Sequence, residues 1–349
     1  MATIQDVALR SGVSVSTVSN VLNGRTDRMR KATLERIQSA MSELSYRPSN
    51  AARQLKTGLV PVLGLLVPSI ANPMFASLTR EIEAVAKKKY GYRIFLGNTY
   101  RQQDEEKIFL DDLLAHCVRG VVIVSSLAEQ SHFREAIERG MILINYDSRS
   151  FVSNSERIDA DHISMNNYQA GNIAAGCLIA SGCRRIAFAT ASGKTISRRD
   201  KIDGFMAAAD AAGFSESSRV IEGKAKSEYG DSELTELGIE LAKKIGAMAC
   251  RPDGVVAIND MMAIGLIAGF RNCGIRVPED VSVVGIDDMF LSALVSPAIS
   301  TVHSPLKEMA KLVVKRLIAR MADPALPVED FLFTPTLVCR ESVLTGRKA

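Results

Sequence analysis

Residues 3–24 read TIQDVALRSGVSVSTVSNVLNG, and this stretch decides the fold of the N-terminal part of the chain. Thr3 with Asp6 three positions later is the pattern of a capping box at the start of a helix. Gly12 supplies the positive φ that a tight turn favours, and Ser14 can then cap a second helix. Two short helices joined by a glycine turn predict a helix-turn-helix, whose second helix lies in the major groove of DNA.

A third helix is predicted from about Lys31 to Leu44, where apolar residues recur every three or four positions. The outward side chains of the second helix are small and mostly polar. Hydroxyl groups can reach phosphates or base edges, an asparagine can pair with adenine, and a valine can contact a thymine methyl group. A protein-docking module with a solvated polar face is the alternative. The outward residues are Val15, Ser16, Thr17, Ser19 and Asn20.

The distribution of charge favours DNA binding over the docking module. Residues 1–60 contain nine Lys and Arg but four Asp and Glu, whereas the net charge of the whole chain is +4. The rest of the chain is therefore almost neutral. A basic head on a neutral body indicates a polyanion-binding module joined to a second function.

The segment SNAARQLKTG, residues 49–58, predicts a single helical turn. We expect it to order only against a partner, because so short a helix is marginal alone. Leu55, close to Arg53 and Lys56, is an apolar wedge flanked by cations, which suits insertion into the minor groove of DNA. Packing of Leu55 on the next domain fits the pattern equally well.

From about residue 61, β-rich runs alternate with helical patterns, which predicts parallel sheets with right-handed crossovers. The runs form two successive series, so we expect two similar α/β subdomains with a ligand cleft at the carboxyl ends of their strands. The predicted strands lie near 62–67, 92–97, 120–125, 141–145, 185–190, 254–258 and 281–286, and helical patterns between them include 75–89, 168–180, 202–212 and 262–273.

Polar side chains follow four of these strands and are the candidate ligand-binding groups. Ser69 and Asn72 follow the first strand, Asp147 follows the fourth, and Asn259 and Asp287 follow the last two. Carboxylates and amides can bind hydroxyl groups at fixed angles. For each residue alone, capping of the next helix is the alternative. As a set, they favour a ligand cleft.

Over essentially its whole length, the chain resembles the LacI/GalR family, the family of the lac repressor. The resemblance implies a helix-turn-helix head on a periplasmic-binding-protein-like core of two Rossmann-like parallel-sheet subdomains. It also implies a homodimer on a pseudo-palindromic double-stranded DNA operator, with the residue matching Leu55 inserted into the minor groove. The matching segments are TIQDVA (3–8), GVSVSTVS (12–19), VLNG (21–24), YRP (46–48), AARQL (51–55), IANPMF (70–75), NDMMA (259–263) and VPEDVSVVGIDD (277–288).

The resemblance also implies which residues bind ligands. Phe75 matches a hydrophobic or stacking position, and Lys201 stands where the family has an arginine, so the charge stays but the bidentate fork is lost. Further cations lie in the same segment or in another loop, and if several of the set face the cleft, an anionic effector follows; an exposed basic loop is the alternative that we rank first. The set is Lys194, Arg198, Arg199, Lys201, Lys224 and Lys226. The candidate DNA-binding residues are Thr3, Ser14, Val15, Ser16, Thr17, Ser19, Asn20, Asn23, Tyr46, Arg47, Asn50, Ala52, Arg53, Leu55 and Lys56, and the candidate effector-binding residues are Ser69, Asn72, Phe75, Asp147, Arg199, Lys201, Asn259 and Asp287.

Two departures from the family pattern lie in the head. Asn20 stands where the family commonly has arginine, which shifts the expected base preference. Residues 28–30 read RMR where the family often has Ser or Thr, so the third helix loses an expected cap. The expected domains are a helix-turn-helix at 1–47, a hinge helix and linker at 48–60, and a core at 61–345 whose N-subdomain spans about 61–160 and 304–330 and whose C-subdomain spans about 161–303 and 331–345.

Other protein classes fit the sequence less well. The longest apolar stretch, residues 59–67, is too short to span a membrane, and the first residues lack the pattern of a secretory signal. The six cysteines lack metal-ligand spacing, and we expect free buried thiols. No catalytic constellation is recognisable. A transport-receptor-like protein of periplasmic type, without regulatory DNA binding, is the competing class, and the basic head argues against it.

The sequence therefore predicts a regulator that is not an enzyme, needs no cofactor, and is a repressor rather than an activator. We expect it in the cytoplasm, associated with the bacterial nucleoid. Its effector is expected to be a sugar, a sugar acid or a sugar phosphate, with a purine ranked last. The effector would change the closure of the cleft and thereby the stability of the hinge helices and the affinity for the operator.

Overall fold

The computed structural model describes residues 2–22, 25–26, 29–46, 61–125, 131–147, 158–192, 195–224 and 234–346. The chain forms two compact units, Met1–Val60 and Pro61–Ala349. Part of the predicted DNA-binding set lies outside the described residues, and its role stays a prediction. These residues are Asn23, Arg47, Asn50, Ala52, Arg53, Leu55 and Lys56.

The head is a three-helix unit around a small apolar core, as predicted. Val7, Val18 and Ile37, one residue from each helix, are fully buried. Gly12, with a φ of 65°, ends the first helix in the left-handed conformation. The turn between the first two helices therefore has the geometry that the glycine predicted. The helices are α1 (Ile4–Ser11), α2 (Val15–Leu22) and α3 (Lys31–Glu43).

The core is built from alternating strands and helices. Its strands are β1 (Val62–Val67), β2 (Arg93–Asn98), β3 (Gly120–Ile123), β4 (Ile142–Tyr146), β5 (Asp161–Met165), β6 (Ile186–Ala191), β7 (Arg219–Gly223), β8 (Gly254–Ala257), β9 (Ser282–Asp287), β10 (Ser300–His303), β11 (Asp330–Phe333) and β12 (Thr336–Val338). Its helices are α4 (Pro73–Val85), which continues as a π-helical turn (Ala86–Tyr90), α5 (Gln103–Ala115), α6 (Ser131–Glu138), α7 (Asn167–Ala180), α8 (Ile196–Ala211), α9 (Leu234–Gly246), α10 (Asp260–Asn272) and α11 (Leu306–Ala322).

The strands form two six-stranded sheets, one in each subdomain. The first sheet has the order β11-β5-β4-β3-β1-β2 and is parallel throughout. The second has the order β12-β10-β9-β8-β6-β7, and its edge strand β12 runs antiparallel to β10. The prediction of two parallel-sheet subdomains is confirmed. β12 is the exception because the chain enters the second sheet from the carboxyl ends of the parallel strands and must run against them.

The chain passes between the subdomains three times, and two of these passages come later than the sequence suggested. β5 and β11 both pair in the first sheet, so this sheet extends beyond the expected limits of 160 and 330. β5 was not recognised because polar residues are buried within it. Arg316 Nε donates a hydrogen bond to the Oδ2 atom of Asp161 at 2.6 Å, which satisfies the fully buried carboxylate at the start of the strand.

Two glycines allow α7 and α8 to pack backbone against backbone beside the cleft. A Cβ atom at Gly171 would lie 3.0 Å from the Cα atom of Lys201. A Cβ atom at Gly204 would lie 2.8 Å from the carbonyl carbon of Tyr168. Both separations are below the 3.5–4.0 Å or so of an ordinary carbon–carbon contact. The close approach fixes the position of Lys201 at the cleft.

The cysteines differ from the expectation of buried thiols. Cys183 is buried and Cys177 is half-buried, but the other four are exposed. Cys117, Cys250 and Cys273 lie in turns after helices, and Cys339 directly follows β12. In the part of the chain that the structure describes, none of the helices combines the length and apolar character that crossing a membrane requires.

Candidate functional site

The exposed face of α2 presents the residues predicted to read DNA. Val15, Ser16 and Asn20 are exposed. Ser14 caps the helix by accepting a hydrogen bond from the Thr17 backbone N–H at 3.2 Å. Its hydroxyl lies 2.7 Å from that of Ser16, so the hydroxyl groups at the start of the helix form one polar cluster. Thr17 and Ser19 are half-buried beside this face.

Thr3 and Tyr46, at the two ends of the head, have structural roles in addition to the predicted contact with DNA. Thr3 forms the predicted capping box, because its backbone N–H donates to Asp6 at 2.7 Å. This bond lowers the pKa of the Asp6 carboxyl group. Tyr46 is half-buried against the core of the head. The start of α3 has Arg30 at its cap position without a side-chain bond, as the departure at residues 28–30 indicated.

In the core, the carboxyl ends of both sheets border one cleft. It encloses about 710 Å³ of empty space, open solvent included. Six of the eight predicted effector-binding residues line it, from both subdomains. The first subdomain contributes Asn72, Phe75 and Asp147, and the second contributes Lys201, Asn259 and Asp287.

Two asparagines act both as helix caps and as lining residues of the cleft. The Oδ1 atom of Asn72 accepts from the Met74 N–H at 3.0 Å, and the Oδ1 atom of Asn259 accepts from the Met262 N–H at 3.0 Å. The capping alternative is therefore correct for both residues, and it does not exclude binding. Capping uses the oxygen and fixes the direction of the amide group, whose N–H₂ can donate to a ligand.

Two carboxylates lie at strand ends in strained backbone conformations. Asp147 has a φ of 62° and Asp287 has a φ of 124°, a region that residues other than glycine adopt rarely. Asn167 Nδ2 donates to the Oδ1 atom of Asp147 at 3.2 Å and so orients it. Strain of this kind accumulates at binding sites, where the surrounding fold maintains it.

The apolar wall of the cleft comes from the first subdomain. Phe75 and Tyr146 are buried there. Burial, together with the nearby charges of Asp147 and Asp287, raises the pKa of Tyr146 far above its ordinary value. The phenol is therefore a neutral hydrogen-bonding group at any physiological pH.

Cations also line the cleft. Of the two that were predicted, Lys201 lines it and Arg199 does not. Lys201 is only 8% exposed and faces the cleft. The side chain of Arg199 is 82% exposed and lies 3.7 Å from Asp203 instead. Arg198 takes the place predicted for Arg199, because residues 198 and 201 share a face of α8, whereas residue 199 is turned by about 100°. Neither residue lies in the exposed loop that was the alternative, because both belong to α8; Lys201 is buried at the cleft, and Arg199 is exposed on the helix surface.

Ser69 does not line the cleft either. It is buried and accepts a hydrogen bond from the Ala71 N–H at 3.2 Å, which is a local turn. Arg101, which was not among the predicted residues, also lines the cleft just after β2. The rule that selected Asp147 and Asn259, a polar residue soon after a parallel strand, would have selected Arg101. Further lining residues that were not predicted are Met74, Met165, Thr195, Ser197, Leu234, Ile258, Ser304 and Met309.

Asp260, directly behind the cleft, ties it to a neighbouring turn. It is fully buried and accepts from the Met289 N–H at 2.9 Å and from the hydroxyls of Ser292 at 2.5 Å and Thr301 at 2.6 Å. Burial raises the pKa of Asp260 to about 6 in spite of these bonds. The bonds link Asn259, its neighbour in the cleft, to the 3-10 turn Phe290–Ala293.

Metal-binding chemistry has no support in the described ranges. Between residues 2 and 346, apart from the segments left undescribed, no group of three His, Cys, Asp or Glu side chains could hold a metal ion. His303, the last residue of β10 before the chain passes to the first subdomain, lies 2.9 Å from Asp288 in the second. The geometry of the cleft is that of a ligand-binding site.

Each of the two units contains a match to the model of a known protein family. Residues 3–49 match the model of bacterial regulatory proteins of the lacI family. Residues 175–343 match the model of the periplasmic binding protein-like domain. The two matches correspond to the head and to the larger part of the core.

Curated relatives match the chain from end to end. The HTH-type transcriptional repressor PurR of Photobacterium profundum is 31% identical over 347 residues, which cover 98% of this chain and 99% of the relative. The ribose operon repressor of Escherichia coli (strain K12) is 31% identical over 345 residues, covering 98% of this chain and 100% of the relative.

Solved structures share the fold. The lac repressor dimer bound to operator and the anti-inducer ONPF matches with a TM-score of 0.82 at 22% identity, covering 98% of this chain and 99% of that one. A LacI family transcriptional regulator from Enterococcus faecium with bound ribose matches with a TM-score of 0.71 at 23% identity, covering 81% of this chain and 98% of that one.

Proposed function

Because this chain belongs to the lacI family of bacterial regulatory proteins, we propose that it represses transcription at an operator under the control of a small effector. It is a regulator and not an enzyme. End-to-end similarity to two relatives named as repressors supports the sign of regulation. The exposed polar face of α2, with Val15, Ser16 and Asn20, supports recognition of base edges. Acting on the chromosome would place the protein in the cytoplasm, at the nucleoid.

The domain division that we propose remains 1–47 for the DNA-binding head, 48–60 for the hinge and linker, and 61–345 for the core. The hinge and its wedge, Leu55, are part of this proposal. The core would transmit the state of the cleft to the hinge, because a short helix forms only where its surroundings favour it.

We further propose that the protein acts as a homodimer. Both subdomains carry large apolar side chains on the surface: Phe95 and Ile108 on the first, and Phe290 and Leu294 on the second. Phe290 is 65% exposed and Leu294 is 73% exposed, and the two lie four residues apart at one 3-10 turn. Exposed apolar side chains that cluster in this way mark interaction surfaces. Burial of these patches against a second copy would pair two heads for the two halves of a pseudo-palindrome.

The proposed effector is an anionic sugar derivative, such as a sugar acid or a sugar phosphate. The observation that carries this is the cation set of the cleft: among the described lining residues, cations outnumber carboxylates. The cations are Arg101, Arg198 and Lys201, and the carboxylates are Asp147 and Asp287. The N-terminal residues of α8 also line the cleft, and a helix N-terminus favours an anion. The carboxylates and the asparagine amides can bind the hydroxyl groups of a sugar.

Effector binding would act through closure of the cleft. Asp147 belongs to the first subdomain and Asp287 to the second, so one ligand can bond to both only at a particular separation. A ligand that prefers one closure shifts the population toward it. The affinity for the operator changes by the same coupling free energy.

DNA binding is tested by selecting duplexes from a random pool with the purified full-length protein. We expect an enriched pseudo-palindrome with a pyrimidine–purine step at its centre, because such steps kink easily. The selection is repeated with added sugars, sugar acids, sugar phosphates and purines to supply a corepressor. If no motif is enriched under any of these conditions, the proposal that the protein regulates transcription at an operator is wrong.

The anionic effector is tested by thermal unfolding of the same protein with the same ligand panel. A sugar acid or phosphate should raise the unfolding temperature, and the shift should disappear in Lys201→Gln. Lys243→Gln, at an exposed lysine of α9, is the matched control and should keep the shift. Stabilisation by a neutral sugar or a purine that Lys201→Gln leaves intact would show that the cations have another role.

A further inference from the structure

A second concave surface lies in the first subdomain, between the end of α4 with its π-helical turn and the first half of α11. It encloses about 1210 Å³, open solvent included. Its floor is apolar and consists of Val85, Tyr90 and Leu312, which are half-buried. We refer to this surface as the lysine groove, because of the residues at its rim.

The rim carries lysines from both helices. Lys311 and Lys315 lie one turn apart on α11, and Lys88 and Lys89 follow α4. Lys87 and Lys307 extend the two rows, so Lys307, Lys311 and Lys315 form one stripe at helical spacing. Within the described ranges, none of these six lysines forms an ion pair, and Glu308 is the only carboxylate at the groove. Lys89 Nζ instead lies 5.4 Å from the centre of the Tyr90 ring.

This concentration of unpaired charge differs from the rest of the subdomain surface. Lys107, for example, lies 2.7 Å from Glu135, and Arg93 lies 3.6 Å from Glu83. Like charges on neighbouring helical turns repel one another and lower stability. An anionic partner would remove this repulsion, and charge complementarity of this kind determines which partners bind.

The apolar floor of the lysine groove distinguishes between three possible partners. DNA would satisfy the lysines through its phosphates but would leave Val85, Tyr90 and Leu312 in contact with water or with a charged backbone. A second copy of this chain, related by a two-fold axis through the groove, would bring lysines against lysines. An amphipathic helix with acidic flanks satisfies both features, since its apolar stripe can lie in a groove.

We propose that the lysine groove docks an acidic amphipathic helix of another protein. Apolar side chains of that helix cover Tyr90 and Leu312, and its carboxylates pair with Lys311 and Lys315. This surface is separate from the effector cleft.

Both helices that form the groove also reach the cleft, so docking can influence the response to the effector. In α4, Phe75 lines the cleft and Val85 lines the groove. In α11, Met309 lines the cleft, whereas Glu308 and Leu312 line the groove. A rigid helix that contacts two sites can transmit a small shift between them.

The proposal is tested by panning a phage library of random 16-residue peptides on the immobilised full-length protein. Lys311→Glu/Lys315→Glu serves for counter-selection. We expect enriched peptides rich in Asp and Glu with apolar residues at three- and four-residue spacing. Their affinity, measured by fluorescence anisotropy, should fall at least tenfold in the double variant and in Leu312→Ser. It should be unchanged in Lys243→Glu/Lys244→Glu, which alters two exposed lysines of the second subdomain.

Circular dichroism and operator binding verify that each variant is folded. Peptides without net negative charge, or binding that the Lys311 and Lys315 changes leave intact, would overturn the proposal. Competition by a short random duplex or by anionic vesicles would also overturn it under one condition. The competitor would have to bind the wild type and Leu312→Ser equally well but bind Lys311→Glu/Lys315→Glu more weakly. That result would assign the lysines to a nucleic acid or a membrane surface.

Discussion

Replacing Gly204 by alanine should separate α7 from α8 and disturb the cleft. The new Cβ atom would lie 2.8 Å from the carbonyl carbon of Tyr168 and 3.0 Å from the Asn172 nitrogen. Ordinary contacts between such atoms are about 3.5 Å or more, so the helices must move apart by roughly 1 Å. Both neighbours are backbone atoms, and no side-chain rotation can relieve the overlap.

The free energy of unfolding should therefore fall by about 3 kcal/mol, the upper part of the range for overpacked cores. Gly176→Ala is the matched control, because it lies in the same pair of helices and has no atom within 4 Å of its added Cβ. It should gain up to about 1 kcal/mol from helix propensity. Replacement of glycine by alanine should thus lower the free energy of unfolding at position 204 and raise it at position 176.

Urea unfolding followed by circular dichroism measures both values. Lys201 lies one turn before Gly204 on α8, so Gly204→Ala should also weaken binding of whichever ligand stabilises the wild type, whereas Gly176→Ala should not. Equal stability of Gly204→Ala and the wild type would refute the backbone contact between α7 and α8.

Three further predictions concern buried and capping groups. Burial raises the pKa of Asp260 to about 6 from 3.8, so the stabilisation that comes from its protonation is full below pH 3.8 and is lost as the pH rises through 6. By linkage, the free energy of unfolding of the wild type should fall by about 1 kcal/mol more than that of Asp260→Asn between pH 5 and pH 8, measured by urea unfolding. Parallel pH profiles of the two proteins would contradict this. Arg316→Met leaves the buried carboxylate of Asp161 without its bidentate partner and should cost about 3–5 kcal/mol, measured by the same assay; an unchanged midpoint would mean that another cation replaces it. Thr3→Ala removes the capping box and should destabilise the head by about 1 kcal/mol, seen as lower helicity on heating, with Thr33→Ala inside α3 as the control that should change little.

Much of the fold could be predicted because local rules and tertiary packing agree. The capping box at Thr3, the turn at Gly12 and the strand at Val62–Val67 all occur where the sequence placed them. β5 could not be predicted in the same way, since Asp161 becomes acceptable inside the core only when Arg316, 155 residues later, reaches it. A pattern within a short window contains no information on such a partner.

The cleft shows the same division between what is local and what is not. The rule that polar residues follow parallel strands found Asp147, Asn259 and Asp287, because it depends only on where strands end. The choice between Arg198 and Arg199 depends on the rotation of α8. This rotation is set by the cap at Thr195, and the sequence prediction began the helix at residue 202, too late to fix it.

The three passages between the subdomains restrict how the core can move. β5 pairs with β11 in the first sheet, and β12 pairs with β10 in the second, so the connecting segments run side by side as a flat strap. Connecting segments that run side by side let the two subdomains hinge about one axis, but they resist twisting and sliding of one subdomain against the other. We therefore expect opening and closing of the cleft to follow a single direction with any ligand. If the proposed effector acts through this closure, residues that contact it could change during evolution without any change in the motion itself.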